Sequence, residues 1–409
     1  MIKNKLKYMA LAAALVLTAS CSDVVDYSLP DRYSNNGAPE ISGIYDISDS
    51  GYVNPLNKGV LNEMIRIKGA NLANAKHVTF NGLEVKPSQI YAESGVSYLR
   101  IPRAIPEKVT DTLVYETNEG VAKYYFPVDI PELKLDGLAN EFAYPGSRVQ
   151  LEGDYFDLFG FNDTTATSTA SIVIRNAEAG YEKTIHCDSC SEAYTSITIP
   201  KDCPYNSLIT FSWQMMGQTK TKTIAYRMTK DLLFDFSGDV GWWNDWGKGL
   251  VQDGSDKTGP QSLGYKFLRI TGTYDAWSWN STGFGCNWSN DDAAAHPENY
   301  VLKFEIWSNT KHPFYDEGDN GPLGANKNGG YLITFNGASS RHQFDPYGQY
   351  NIRNTNGEWR TVSIPLKDVL NGFTPSGWVA LELVLQPNTS DAWDVDHAFG
   401  QFRVEPANY

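Results

Sequence analysis

The chain has 409 residues with 48 acidic and 34 basic side chains, and its formal net charge is −14 at neutral pH. This excess of acid argues against nucleic acid as a partner, because nucleic-acid-binding surfaces are basic. The charged fraction is 20% and the aromatic fraction 13%, a composition typical of an extracellular β protein, and the length predicts two to four domains.

The N-terminal segment has the organisation of a secretory signal peptide. Three lysines among the first seven residues precede the apolar run 9–17, which is too short to span a bilayer. Small residues then precede Cys21, as lipoprotein signal peptidase requires, although Thr18 stands where the lipobox usually has leucine. We therefore expect removal of residues 1–20 and lipidation of Cys21; the alternative is an ordinary cleaved signal with a cysteine nearby. Loss of three lysines from 34 basic residues leaves 31 against 48 acidic ones, a net charge of −17.

Residues 21–37 are predicted to form a flexible tether, because they contain proline, asparagine and glycine and show no periodicity. The acidic stretch that follows Cys21 resembles the surface-export signal of Bacteroidetes lipoproteins. No later stretch reaches membrane-spanning length, so we expect the mature protein to be anchored to a membrane without crossing it.

Two segments of similar design follow, and we predict small β domains at residues 38–130 and 131–229. In each, apolar and polar residues alternate before a glycine, Gly69 or Gly153, which is the pattern of a half-buried strand. The sequence IRIKGANLANAKHVTFNG resembles the core of the immunoglobulin-like IPT/TIG domain, and the second copy is looser. Nothing in either copy suggests chemistry, so both are expected to act as spacers that lift the next domain off the membrane.

Four cysteines remain in the mature chain besides the one expected to be lipidated. Cys187, Cys190 and Cys203 could be interpreted as a zinc site, but a second CxxC pair is missing. In an oxidising compartment a disulfide among these three is the better prediction. Cys286 is expected to be buried and not paired with them.

Residues 230–409 differ in composition, since ten of the 11 tryptophans in the chain lie there. One explanation is a large aromatic core. The other is sugar recognition, because indole rings stack on the apolar face of a pyranose and polar side chains bind its rim of hydroxyls.

Strand periodicity separates some of these tryptophans from others. In the strand 301–307, Trp307 shares the polar face with Lys303 and Glu305, opposite the apolar residues, which predicts an exposed aromatic platform. Trp359 and Trp378 adjoin apolar strands and are predicted to be structural.

Two further groups of tryptophans are candidate sugar-binding rings. Trp277 and Trp279 share one face of their segment. Trp242, Trp243 and Trp246 lie among glycines in a predicted loop.

The sequences WRTVSIPLKDV and DVDHAFGQFRVEP resemble the strand-and-turn near the end of jelly-roll carbohydrate-binding modules, although His397 departs from the usual pattern. The whole arrangement is similar to the surface glycan-binding proteins of Sus-like polysaccharide utilisation loci in Bacteroidetes. In that family a segment such as RHQFDPYG supplies an aromatic residue to the binding face. The resemblance therefore points to Arg341, His342, Phe344 and Tyr347.

This resemblance implies an all-β chain of two tandem immunoglobulin-like (IPT/TIG) sandwiches followed by a larger, jelly-roll, carbohydrate-binding-module-like β-sandwich. It implies a monomer in the outer membrane, facing the cell exterior, that binds polysaccharide without cleaving it beside a SusC/SusD-type importer and a surface hydrolase. Because a chain with a net charge of −17 repels polyanions, a neutral β-linked glucan or mannan is the expected ligand.

Two other functions remain open from the sequence, a jelly-roll glycoside hydrolase or lyase and a protein-binding adhesin on immunoglobulin-like stalks. No G-x-S-x-G, H-E-x-x-H or P-loop motif supports an enzyme. No cofactor is expected. A structural calcium ion could bind the acidic, glycine-rich stretches 253–256 and 316–321, although neither matches an EF-hand loop.

Overall fold

The computed structural model describes residues 32–165, 168–230, 232–234, 236, 243–244, 250–315, 330–387 and 392–409. The chain divides into two compact units, Met1–Ile130 and Pro131–Tyr409. The predicted signal peptide, Cys21 and most of the tether lie outside the described residues. Within the described part of the chain, no helix is long and apolar enough to cross a membrane.

The first unit is built from two four-stranded antiparallel sheets, with strand orders β1-β3-β7-β6 and β5-β4-β8-β9, and a short parallel pair of β2 with β10. Alternation in β3 buries Ile65 and Ile67 between the sheets. The strands are β1 (Glu40–Asp46), β2 (Gly59–Val60), β3 (Met64–Ala70), β4 (His77–Phe80), β5 (Leu83–Glu84), β6 (Ile90–Glu93), β7 (Val96–Arg100), β8 (Thr112–Thr117), β9 (Gly120–Tyr125) and β10 (Val128–Asp129), with a 3-10 helix at Pro87–Gln89.

The second unit begins with another sandwich, called here the second sandwich, whose sheets have the strand orders β11-β12-β16-β15 and β14-β13-β17-β18. Its strands are β11 (Lys134–Leu138), β12 (Arg148–Asp154), β13 (Ser171–Asn176), β14 (Tyr181–Ile185), β15 (Cys187–Cys190), β16 (Thr195–Thr198), β17 (Ser207–Met215) and β18 (Gln218–Tyr226), with a 3-10 helix at Phe156–Phe159.

The same glycine-dependent contact occurs in both sandwiches. A Cβ at Gly69 would lie 1.9 Å from the carbonyl oxygen of Glu40, and a Cβ at Gly153 would lie 2.0 Å from that of Lys134. Each contact adjoins a bulge in the first strand pair of its sandwich. The repeated glycine of the sequence is therefore required because a neighbouring strand passes too close for any side chain.

The C-terminal sandwich consists of two five-stranded antiparallel sheets. The front sheet has the order β19-β22-β27-β24-β25 and the back sheet the order β20-β21-β28-β23-β26. The strands are β19 (Trp243–Asn244), β20 (Leu250–Gln252), β21 (Phe267–Tyr274), β22 (Asn280–Asn287), β23 (Tyr300–Ser308), β24 (Tyr331–Phe335), β25 (His342–Phe344), β26 (Arg360–Pro365), β27 (Trp378–Leu385) and β28 (Trp393–Pro406). The helices are α1 (Asp291–Ala295), α2 (Pro346–Tyr350) and α3 (Leu366–Leu370), with a 3-10 helix at Pro297–Asn299.

A large aromatic and aliphatic core fills the space between the front and back sheets. It includes Phe304 and Phe402, whose rings are stacked 4.8 Å apart. The predicted all-β fold class is confirmed.

The predicted disulfide is wrong, because Cys187, Cys190 and Cys203 are all free thiols. A bulge in β15 brings the first two thiols into hydrogen-bond contact, which raises the pKa of Cys187 and lowers that of Cys190. Cys203 is buried beside Ser207, and burial raises its pKa. Cys286 is half-buried and also free. Among the described residues, no cluster of three or more His, Cys, Asp or Glu side chains could hold a metal ion.

One candidate calcium segment, 316–321, lies outside the described residues. In the other, Asp253 accepts a hydrogen bond from the backbone of Ser255, and Asp256 accepts one from Thr258. Asp256 also pairs with Arg269 at 2.7 Å. These carboxylates are thus engaged within their own turns and with an arginine.

A buried charged cluster joins the second sandwich to the back sheet. Arg403 in β28 contacts Glu141 at 2.7 Å, Glu305 at 3.0 Å and Glu405 at 2.6 Å. Lys303 contacts Glu141 at 2.7 Å and Glu405 at 3.2 Å. Since Glu141 comes from the second sandwich, removing that sandwich would leave buried charges of the back sheet without one of their partners, which is destabilising.

The expectation that residues 131–229 are only a spacer therefore needs correction. Thr361 in β26 donates its backbone N–H to the carbonyl of Ala139 at 2.8 Å and accepts the N–H of Glu141 on its hydroxyl at 2.8 Å. The second and C-terminal sandwiches are bonded through backbone as well as side chains, and the C-terminal segment is not an independent body.

Glu305→Gln is expected to change how stability depends on pH. Burial raises the pKa of Glu305 to about 7, above its ordinary value of 4.5, so the folded state holds an extra proton between those values. This contribution to the free energy of unfolding is complete below the ordinary pKa and is lost as the pH rises through about 7. Urea unfolding from about pH 5 to about pH 8 should show a decline in the free energy of unfolding on the order of 1–3 kcal/mol in the parent that is absent from the variant.

The control is Glu182→Gln, at an exposed ion pair with Arg175, which should keep the parental decline. Equal slopes of stability against pH in all three proteins would contradict the raised pKa of Glu305.

Candidate functional site

Burial divides the tryptophans of the C-terminal sandwich into two groups. Trp288, Trp307, Trp359 and Trp393 are buried. The exposed group, with the exposed fraction of each residue, is Trp277 (57%), Trp279 (45%) and Trp378 (53%). Trp242, Trp246 and the side chain of Trp243 lie outside the described residues.

Trp307 is not an exposed platform, so that prediction is wrong. Its strand, β23, does point it away from the sandwich core, as alternation predicts. That outer face of the back sheet, however, is covered, and Trp307 is only 4% exposed. It belongs to an apolar cluster with Trp359, with Leu263 of the segment before β21 and with Phe142 of the second sandwich. Strand phase identifies the face of a sheet on which a side chain lies, but it does not tell what covers that face.

Two further predicted site residues lie partly or wholly inside the molecule. Phe344 is fully buried, and its ring centroid lies 5.2 Å from that of Phe304 in the core. The prediction that Phe344 contributes to a binding face is therefore wrong. His342 is half-buried, and burial lowers its pKa.

Trp378 was predicted to be structural, and this too is wrong. Alternation along β27 turns Val379, Leu381 and the following apolar residues inward, so that Trp378 lies on the outer face of the front sheet. Its indole lies against Gly285 of β22, where a Cβ would be 2.2 Å from the ring atom Cζ2. Glycine is required here because any side chain would displace the indole from the sheet.

The outer face of β22 beside this ring carries little side-chain bulk. Gly283 pairs with Glu382 of β27, and Gly285 pairs with Ala380. Both glycines are nevertheless buried. The indole of Trp378 covers Gly285, and Gly283 is paired on both sides, with Trp243 of β19 and with Glu382 of β27. The surface available to a ligand is therefore the exposed part of the indole.

Polar groups and a second indole lie near Trp378 on the front sheet. Glu382 accepts hydrogen bonds from the hydroxyl of Ser281 at 2.7 Å and from Nε of Arg341 at 3.2 Å. The guanidinium carbon of Arg341 lies 4.8 Å from the ring centroid of Trp279. We call this set the front face: Trp279, Ser281, Gly283, Gly285, Arg341, Trp378 and Glu382.

Trp277 precedes the front face in the turn between β21 and β22, and its backbone is in the left-handed region with φ of 59°. Such a conformation is strained for a bulky residue and persists only where its surroundings hold it. Here the N–H of Trp277 donates to the carbonyl of Pro387 at 2.7 Å. This hydrogen bond therefore holds the exposed indole of Trp277 beside the end of β27.

Tyr347 lies on a different surface from the front-face tryptophans. It is in α2, which Asp345 caps by accepting the N–H groups of Tyr347 and Gly348. Its ring stacks on Tyr315 with centroids 4.2 Å apart and an interplanar angle of 5°. Tyr347 lines a cleft between the second and C-terminal sandwiches, so the structure does not place it with the exposed tryptophans.

The front face can bind a neutral ring that has one apolar side and a hydroxyl rim. An indole lying against the sheet stacks on C–H groups, and a carboxylate with a guanidinium beside it exchanges hydrogen bonds with hydroxyls. Sequence reasoning found Arg341, Trp277 and Trp279 but missed Trp378 and Glu382. The alternation in β27 could have indicated that both side chains lie on the outer face of the front sheet. The Gly-Phe-Gly spacing in β22 was a further indication, since it leaves room for a ring on that face.

Residues 226–406 match the family model described as the xyloglucan binding domain of surface glycan-binding protein B. Over this range the C-terminal sandwich is similar to that domain family. The resemblance to surface glycan-binding proteins and the expectation of a binding protein rather than an enzyme are thereby confirmed, whereas the IPT/TIG resemblance of the preceding domains stays a prediction.

Solved structures of related function resemble the chain as well. A surface glycan-binding protein from Prevotella bryantii is 20% identical with a TM-score of 0.50, and the match covers 92% of this chain and all of the other. A protein from a xyloglucan utilisation locus in Bacteroides uniformis is 17% identical with a TM-score of 0.47, covering 90% of this chain and 99% of the other. No protein of curated function matches the sequence. The first of these structures supports the same multi-sandwich fold over most of the chain.

Trp307→Ala is expected to reduce stability much more than Trp378→Ala. Removal of the buried Trp307 ring opens a cavity at the contact with the second sandwich and should cost about 3–5 kcal/mol of the free energy of unfolding. Trp378 is about half exposed, so its removal should change that free energy by less than about 1 kcal/mol. Chemical denaturation of the two variants and the parent tests this; an unchanged midpoint for Trp307→Ala would show that its face is open to solvent.

Proposed function

We propose that the protein binds a neutral β-linked glucan at the cell surface, without cleaving it, on the front face of the C-terminal sandwich. One observation carries the proposal: the exposed indole of Trp378 lies against Gly285, on the same face of the front sheet as the Glu382–Arg341 pair. This arrangement provides the stacking surface and the hydroxyl-binding groups that a pyranose chain needs.

The family description and the charge of the chain narrow the ligand. The description names xyloglucan, which favours a glucan over a mannan. The acidic balance of the chain disfavours polyanionic glycans, because like charges repel. We therefore propose xyloglucan or a related neutral β-glucan as the ligand class.

The sequence also supports proposals for the location and the partners of the protein. We propose that Cys21 carries the lipid that anchors the chain in the outer membrane, facing the exterior. We also propose that bound polysaccharide passes to a surface hydrolase and a SusC/SusD-type importer. The lipobox and the acidic tether support the anchor, and the family similarity of the C-terminal sandwich supports a role in glycan capture.

Trp378→Ala is expected to weaken binding of xyloglucan while the fold survives. Loss of one stacking ring costs about 1–3 kcal/mol in comparable stacking interactions, which corresponds to a rise in Kd of roughly 5- to 150-fold. Affinity-gel retardation and titration calorimetry with xyloglucan and mixed-linkage β-glucan measure this rise in Kd. Trp279→Ala should also raise Kd.

The matched control is Tyr125→Ala, which removes a 73%-exposed aromatic ring from the first unit and should leave Kd unchanged. Parental affinity in both tryptophan variants would show that the front face is not the binding surface. Release of reducing sugar by the parent protein would contradict the absence of cleavage.

A further inference from the structure

A cleft of about 880 Å³ lies within the second unit, between the second sandwich and the C-terminal sandwich. Its walls include β11 and β18 on one side and α2 and β26 on the other. This volume is within the range of small-molecule and oligosaccharide sites and is far larger than a packing defect. The cleft does not involve the front-face tryptophans.

The walls of the cleft are held in place by bonds that cross between the two sandwiches. Arg360 pairs with Glu152 at 2.5 Å and Lys303 with Glu141 at 2.7 Å. The backbone bond of Thr361 to the second sandwich lies between them in the same wall. The cleft is consequently pre-formed, and a ligand need not supply the energy to assemble it.

Most of the charged side chains that line the cleft already have an ion-pair partner, which favours a neutral occupant. Besides the two pairs that cross it, Lys134 pairs with Asp136 at 3.0 Å. Lys222 donates to the side-chain oxygen of Asn408 at 3.3 Å. An ionic ligand would have to break these pairs, whereas a neutral, hydroxyl-bearing ligand can bind alongside them.

Two tyrosines of α2 provide the aromatic wall. Tyr315 covers one face of Tyr347, so only the opposite face and the edge of this ring are available to a ligand. Tyr350 is fixed by donating its hydroxyl to the carbonyl of Ser363 at 2.8 Å. Rings held in this way lose little conformational entropy on binding.

The cleft also adjoins the edge of the front sheet. β25 is the edge strand of that sheet and begins directly after Arg341, a front-face residue. Helix α2, which carries Tyr347 and Tyr350, starts two residues after β25 ends. The cleft wall thus follows the front-face edge closely in the protein sequence. A polysaccharide that extends beyond the front face could therefore reach the cleft.

We propose that this cleft is a second binding site for the neutral polysaccharide, in which Tyr347 is the stacking ring. The inference rests on the proposed function only for the identity of the ligand. Two sites on one rigid body raise the affinity for a polymer above that of either site, because the second contact is intramolecular. A short oligosaccharide fills the two sites separately.

The test is a hydrogen-exchange footprint of the full mature chain with xyloglucan oligosaccharide, together with calorimetric stoichiometry. We expect slowed exchange in residues 347–352 and 360–363, separate from slowed exchange in 279–285 and 378–384, with two oligosaccharides bound per chain.

Gln349→Trp, at an exposed position of the cleft wall, should fill the cleft. It should remove the first footprint, keep the second, reduce the stoichiometry to one and weaken binding of the polymer about tenfold. Tyr347→Ala should act likewise, and Tyr125→Ala should match the parent.

The outcomes separate the two proposals. A footprint confined to 279–285 and 378–384, with one oligosaccharide per chain, overturns the cleft site and leaves the proposed function intact. A footprint confined to 347–352 and 360–363 supports the cleft and overturns the front face as the binding surface. Absence of both footprints overturns both proposals. Thermal unfolding of each variant verifies that the fold is retained.

Discussion

The guanidinium of Arg403 lies fully buried between two sandwiches, 4.7 Å from the ring of Phe142 and in contact with carboxylates from both. Burial disfavours its charge, but the surrounding carboxylates raise its pKa. A buried charge of this kind is tolerated only with its partners in place. The orientation of the second sandwich against the back sheet therefore depends on this cluster. That orientation in turn decides which face of the C-terminal sandwich is covered and which is open to solvent.

That orientation leaves the two sheets of the C-terminal sandwich in different environments. The outer face of the back sheet becomes an interface with an apolar patch and a charged cluster. The outer face of the front sheet remains open and carries Trp279 and Trp378. The division explains why tryptophans of similar sequence context serve different purposes, some in packing and some in proposed sugar stacking.

Much of the fold was predictable from local pattern, because strand alternation and turn glycines act over a few residues. Gly69 and Gly153 marked the repeated sandwiches, and their requirement is now explained by close strand contacts. The burial of Trp307 was not predictable, because the residues clustered with it include Leu263 and Phe142, which lie 44 and 165 positions earlier in the sequence. The disulfide prediction failed although Cys187 and Cys190 are in hydrogen-bond contact, because cysteine spacing shows neither the geometry of two thiols nor whether they are bonded. Trp378 was a failure of another kind, since the alternation in β27 contained the information.

The central claim is that polysaccharide binds the front face because the back face is already covered. A crystal structure of the full chain with a bound xyloglucan oligosaccharide tests it most directly. We expect a pyranose ring stacked on the indole of Trp378 over Gly285, with hydroxyls near Glu382 and Arg341. A sugar seated against Trp307, with the second sandwich displaced from the back sheet, would contradict it.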